Sequence, residues 1–113
     1  MAEMKNILDG IRVLDFSQAL AGPTTTRLMA EMGAEVIKVE PPAVDGKGGG
    51  DPMRNWGHGE HKLWWEVVSR NKKSVSANLR IAEGQEVVRK LAAHADILIE
   101  NFKPGTIEKW GLG

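Results

Sequence analysis

Ile11-Arg12-Val13-Leu14-Asp15-Phe16, Ser17-Gln18-Ala19-Leu20-Ala21-Gly22-Pro23 and Glu35-Val36-Ile37-Lys38-Val39-Glu40 frame the passage whose reading decides the fold. Ile11 to Phe16 is apolar and partly β-branched, so it reads as a strand. Small residues from Ser17 to Gly22 make a loop, and Pro23 suits the first position of a helix, where its absent N–H costs nothing. Thr24 to Met32 carries Leu28, Met29 and Met32 on one face, Gly33 closes the helix, and Glu35 to Val39 is a second strand.

The alternation continues outward. Pro41 to Gly59, with three prolines and a Gly48-Gly49-Gly50 run, is loop. His61 to Ser69 is a short helix, and Arg70 to Lys73 a basic turn. Ser74 to Leu79 is a third strand with so few apolar residues that an edge position is expected. Ala82 to His94 is the clearest helix, with Val87, Val88, Leu91, Ala92 and Ala95 read as one face, although Ile81 makes a poor N-cap. Asp96 to Ile99 is a fourth strand, expected to be buried, and Pro104 to Trp110 a last helical turn or two. Strands alternating with helices predict an α/β fold: a mainly parallel sheet of about four strands with flanking helices. In such sheets ligands bind beyond the carboxyl ends of the strands. That selects Ser17–Pro23, the start of Pro41–Gly59, Arg80–Glu83 and Glu100-Asn101-Phe102-Lys103-Pro104-Gly105 as candidate loops.

Composition narrows the function classes. At 113 residues the chain is one domain or part of one. Fifteen lysines and arginines balance fifteen aspartates and glutamates, which argues against a general nucleic-acid or membrane binder. Without cysteine there is no disulfide framework and no thiolate metal site. The first residues lack the apolar core of a signal peptide, and no apolar run approaches a membrane span. A cytoplasmic protein is the expectation.

Several individual residues fit plainer roles than a ligand contact. Glu40 stands where a ribose-binding acid belongs, but Ala19-Leu20-Ala21-Gly22-Pro23 has one glycine in place of G-x-G-x-x-G, so no nicotinamide or flavin is expected. His58 and His61, with Asp51 and Glu60 near them, lack a second cluster, and no metal is expected. Trp56, Trp64 and Trp65 read as core or subunit contacts. Arg70, Lys72 and Lys73 precede the third strand, the end away from the ligand crevice, and read as a solvated turn or salt-bridge partners. Asp15 reads as satisfying local backbone donors. Arg80 sits beside the free amides of a helix N-terminus, a setting that favours an anion. Asn101 offers a donor and an acceptor, and Phe102 a ring face, just past the fourth strand.

Five segments in order carry a resemblance: Asp9 to Phe16, Ala21-Gly22-Pro23, Gly33 to Glu40, Arg70-Asn71-Lys72-Lys73-Ser74 and Glu100 to Gly105. Together they resemble the N-terminal part of the family III CoA-transferases, the family of formyl-CoA transferase, crotonobetainyl-CoA:carnitine CoA-transferase and the related α-methylacyl-CoA racemase. The resemblance covers nearly all of residues 8–113. It implies a Rossmann-like large domain that binds coenzyme A or acyl-CoA as substrate. It also implies Ala21, Arg80, Asn101, Phe102 and Lys109 as contacts. Strand-end position alone picks Arg80, Asn101 and Phe102; the resemblance adds Ala21 and Lys109.

The chain departs from the family at Leu20, where formyl-CoA transferase has glutamine; at Pro41, where some members have arginine; and at Ala77-Asn78-Leu79, in place of Leu-Asp-Leu. The family's transferases use an aspartate nucleophile well beyond the Asn101-Phe102 turn, and Gly113 precedes that point. None of Asp9, Asp15, Asp45, Asp51 or Asp96 matches it. The expectation is therefore an N-terminal portion of the CoA-binding large domain over 1–113, without catalytic or small-domain segments and inactive alone. It should form a homo-oligomer or swapped dimer through an exposed sheet edge. A stand-alone CoA- or nucleotide-binding or assembly module, and a racemase-type fragment, remain open alternatives.

Overall fold

The computed structural model describes residues 5–43, 48–57 and 63–113. Its elements run β1 (Arg12–Asp15), α1 (Ala21–Glu31), β2 (Glu35–Glu40), a 3-10 turn (Pro52–Asn55), α2 (Leu63–Val68), β3 (Lys73–Ser76), α3 (Ala82–Ala93), β4 (Ile97–Ile99) and α4 (Thr106–Lys109). The strands form one parallel sheet in the order β3-β2-β1-β4. The α/β architecture read from the alternation is the one observed, with β3 at an edge as its polar sequence predicts.

Register sorts the strands into two faces. Val13 pairs Val36 and Asp15 pairs Lys38 on one, while Leu14 pairs Ile37 on the other. Leu14, Phe16, Ile37, Val39 and Ala77 pack with Val88 of α3, flanked by Leu91, Ala92 and Phe102. Val13 and Val36 pack with Ala30 of α1, flanked by Met29 and Ile99. Helices α1 and α3 therefore cover opposite faces. The chain winds from β1 through β2 to β3, then returns to the other side of β1 for β4. That reversal makes the gap between the carboxyl ends of β1 and β4 the topological switch point, where open α/β sheets bind ligands.

Several sequence expectations need correction. Helix α1 begins at Ala21, so Pro23 is its third residue; proline is tolerated there because first-turn N–H groups have no intrahelical partner. Its buried positions are Pro23, Thr26 and Ala30, while Leu28 and Met32 are exposed. The reason is that the sheet beneath its first half is polar, so a threonine is the better fit. The helix ends in a Schellman arrangement: Gly33 N–H donates to the Ala30 carbonyl and Ala34 N–H to that of Met29, with Gly33 at φ +104°. In α3, Val88 is fully buried but Val87 is exposed, so the apolar face is narrower than expected. Ile81 caps α3 without a side-chain bond, as its sequence predicts. Strand β4 is an edge, with Ile97 and Leu98 more than a third exposed, and not the buried strand its apolar run suggested. Trp56 and Trp64 are about half exposed, so neither is core.

Candidate functional site

Beyond the carboxyl ends of β1, β2 and β3 lies a pocket of about 320 Å³. Phe16, Val39 and Ala77 form its floor, Asn78, Leu79 and Arg80 one wall, and Phe102, Thr106 and Trp110 the other; Gln18, Glu40 and Pro41 complete the rim. The aromatic wall is a packed unit. Phe102 lies edge-on to Trp110 with centroids 5.2 Å apart and tilts against Phe16 at 6.3 Å. An apolar floor beside a cation is the combination a ligand with a flat apolar part and an anionic part needs.

Two of the five sequence-predicted contacts, Arg80 and Phe102, line this pocket. Arg80 is exposed, and its backbone N–H donates to Asn78 Oδ1 at 3.0 Å, which shapes the turn into α3. Asn101 stands beside the pocket and spends its amide on the backbone of Gln18. Ala21 is the exposed first residue of α1, whose start no side chain caps. Lys109 is exposed on α4 and outside the pocket lining. Gln18 lies in the Ser17–Pro23 loop selected from sequence, whereas Thr106 and Trp110 carry no sequence signal, because their places depend on α4 folding back against Phe102.

Behind the pocket, under the first half of α1, is a buried charged cluster. Asp15 is fully buried: its Oδ1 accepts from the Ser17 N–H at 2.8 Å and from the Ser17 hydroxyl, and its Oδ2 from Thr26 Oγ1 at 2.6 Å. The local role read for Asp15 from sequence is thus half of what it does; Lys72 Nζ, from across the sheet, lies 3.2 Å from the same Oδ2. Lys72 also donates to the Pro23 carbonyl at 3.0 Å, and its side chain is 3% exposed. It is a salt-bridge partner, but its long stem brings its charge to the crevice end of β1. Burial pushes its amine below the ordinary pKa, with Asp15 opposing. Lys73 pairs with Glu35 at 3.1 Å and Arg70 is exposed. Lys38 Nζ reaches the Ser17 carbonyl and sits 2.7 Å from Asp51, both side chains nearly fully buried.

Glu40 is equally committed. Oε1 accepts from the Asp51 N–H at 2.7 Å and Arg54 Nε at 2.6 Å; Oε2 accepts from Arg54 Nη2 at 2.8 Å and from the Ser74 hydroxyl. Burial would raise its pKa, but Arg54, Ser74 and the Asp51 amide outweigh that and hold it at about 2. Its oxygens are thus occupied by protein donors where a ribose-binding acid would need them free. Arg54 in turn stacks on Trp65, 4.1 Å from the ring centroid. Among the described residues, no group of three or more His, Asp or Glu is placed to hold a metal. His58, Glu60, His61 and Asp45 lie outside the described residues. Among the described residues, no helix is long and apolar enough to cross a membrane.

The family described as CoA-transferase family III matches residues 8–113. The succinyl-CoA–D-citramalate CoA-transferase of Chloroflexus aurantiacus is 54% identical over 94% of this chain and 26% of its own length. The succinyl-CoA–L-malate CoA-transferase beta subunit of the same organism is 48% identical over the same shares. The crystal structure of the D175A mutant of Rv3272 from Mycobacterium tuberculosis superposes with a TM-score of 0.86 at 40% identity, over 96% of this chain and 28% of that one. The chain thus spans about a quarter of the length of the curated relatives it matches.

Proposed function

The chain belongs to CoA-transferase family III, and from that premise we propose that it is the N-terminal, coenzyme-A-binding portion of an acyl-CoA:carboxylate CoA-transferase. The observation that carries the reading is the pocket at the carboxyl end of the sheet, where the Arg80 cation faces an apolar floor and the Phe102–Trp110 wall. In this reading Phe102 packs on the ligand, Arg80 and Lys109 meet its anionic groups, and the uncapped start of α1 at Ala21 offers backbone donors beside Asn101. Both relatives described above carry succinyl-CoA in their names, which favours a succinyl-CoA donor and favours transfer over racemisation.

The nucleophile lies outside these residues in this reading. Each described aspartate already serves the fold. Asp9 accepts from the Asn6 N–H, Asp96 from the Arg12 N–H, Asp51 pairs with Lys38, and Asp15 holds Ser17, Thr26 and Lys72. Residues 1–113 would then build part of the large domain and present the thioester to a carboxylate supplied by other sequence, for covalent transfer. The half-exposed apolar edge of β4 and the exposed Trp56 and Trp64 support assembly with further protein, a second copy included. A monomer by light scattering at high concentration would count against self-assembly.

Calorimetric titration with coenzyme A tests the reading. Arg80→Ala should weaken binding by about 1–3 kcal/mol, the range for a lost charge-assisted hydrogen bond. Lys73→Ala, at the opposite end of the sheet and 69% exposed, should leave it unchanged. Absence of binding, or equal losses in both variants, would overturn the assignment. Lys72 is unsuitable as that control because its charge is buried against Asp15.

A further inference from the structure

We infer that Asn101 is a positioning residue, which locks the β1–α1 loop in the strained shape that presents the start of α1 to the crevice. The inference deepens the proposed coenzyme A reading and rests on it for its functional consequence. At the switch point the chain leaves β1 toward one face of the sheet and leaves β4 toward the other, so beyond the last ladder bond, from the Phe16 N–H to the Ile99 carbonyl at 2.8 Å, no backbone pairing joins the two loops. The Asn101 side chain does. Its Oδ1 accepts from the Gln18 N–H at 2.9 Å, and its Nδ2 donates to the Gln18 carbonyl at 2.8 Å. One amide thereby satisfies both backbone groups of a residue 83 positions away in sequence. This leaves one Nδ2 hydrogen and one Oδ1 lone pair for anything else.

What that grip stabilises is visible in the next residue. Ala19 has φ +71°, in the left-handed region that a side chain disfavours. Ser17, on the other side of Gln18, is fixed from below by Asp15 and by Lys38. Directly above it passes the first turn of α1: a Cβ on Gly22 would lie 2.3 Å from Ser17 Cβ. Ser17 is therefore anchored, Gln18 is clamped, and the strain is confined to Ala19, immediately before the N-cap Leu20 and the first helical residue Ala21. Phe102 fixes the clamp in turn. Its ring is packed between Phe16 and Trp110, and its N–H donates to Glu100 Oε2 at 2.9 Å. A residue whose office is to oppose strain at Ala19 differs in a measurable way from one that touches the ligand: relieving the strain should partly replace it.

The test compares the full chain with Asn101→Ala, Asn101→Asp, and each of these combined with Ala19→Gly, by amide hydrogen exchange and by calorimetry with coenzyme A. Asn101→Ala should speed exchange at the Gln18 amide by about tenfold or more, while amides of β2 and α3 are unchanged, and should weaken coenzyme A binding by about tenfold. Glycine accepts φ > 0 without strain, so adding Ala19→Gly should recover about fivefold of the lost affinity. Asn101→Asp keeps the acceptor and sets a carboxylate oxygen against the Gln18 carbonyl; it should behave as Asn101→Ala and serves if the alanine variant does not fold. Unchanged exchange at Gln18, or a double variant no better than the single one, would overturn the inference. If the wild-type chain binds no coenzyme A, the proposed function fails and the exchange arm alone decides the clamp.

Discussion

Leu14 and Phe16 face α3 across an apolar layer, whereas their β1 neighbours Val13 and Asp15 face α1, and only the lower half of that second layer is apolar. Above Val13 the α1 face is filled by Asp15, Lys38, Asp51, Glu40 and the end of Lys72, all buried. The α3 face holds the sheet together by area removed from water and is indifferent to which loop lies above it. The α1 face uses directed bonds, and their partners are backbone atoms of the loops and first turns around the crevice: the Ser17 amide and carbonyl, the Asp51 and Met53 amides, the Pro23 carbonyl. One face supplies cohesion, and the other fixes where the crevice loops go. A buried ion pair is rarely the most stable way to fill space, so its retention here is accounted for by geometry.

The comparison can be broken most sharply at Lys38. Lys38→Ala leaves Asp51 buried without its cation and should cost about 3–5 kcal/mol in urea unfolding. Leu14→Ala on the opposite face should cost about 2–5 kcal/mol through the cavity it leaves. The faces differ in the repair. Replacing both ions, as Lys38→Met with Asp51→Leu, should restore most of the stability but leave exchange fast at Ser17 and Gln18. A double replacement as unstable as Lys38→Ala would show that the pair is cohesive after all.

A smaller effect separates the faces by pH. Glu40 has its pKa lowered to about 2, so its contribution is fully present above the ordinary carboxylate value. It is lost as pH falls from about 4.5 toward 2. Allowing for the part-exposed Arg54, that contribution is on the order of 2 kcal/mol. Unfolding midpoints at pH 5 and pH 3 should therefore diverge more for the wild-type protein than for Glu40→Gln. Parallel losses in the two proteins would remove Glu40 from the acid response.

The same division explains what the sequence disclosed. The β1–α1–β2 order was legible because strand and helix periods are local, and the edge position of β3 because Lys73-Ser74-Val75-Ser76 has one apolar residue. The strand-end rule brought Arg80 and Phe102 to one pocket without reference to any partner. The buried side of α1 was misread because Thr26 is inward only on account of Asp15, eleven residues earlier. Lys72 was placed by the position of its Cα, while its charge lies at the far end of its side chain. Asn101 was singled out for its donor and acceptor, but the partner that takes both is fixed by topology alone.

The sheet order also sets a schedule. β1 can pair with β2 as soon as the helix between them closes, but its other edge waits for β4, whose first paired residue is Ile97. At the usual pace of synthesis that interval is about 3 to 11 s, long compared with the folding of a small helical unit. Throughout it β1, which in the fold has a strand on either side, has an open flank on the ribosome. Nascent-chain conditions, more than equilibrium stability, are then where this fold is most exposed to mispairing.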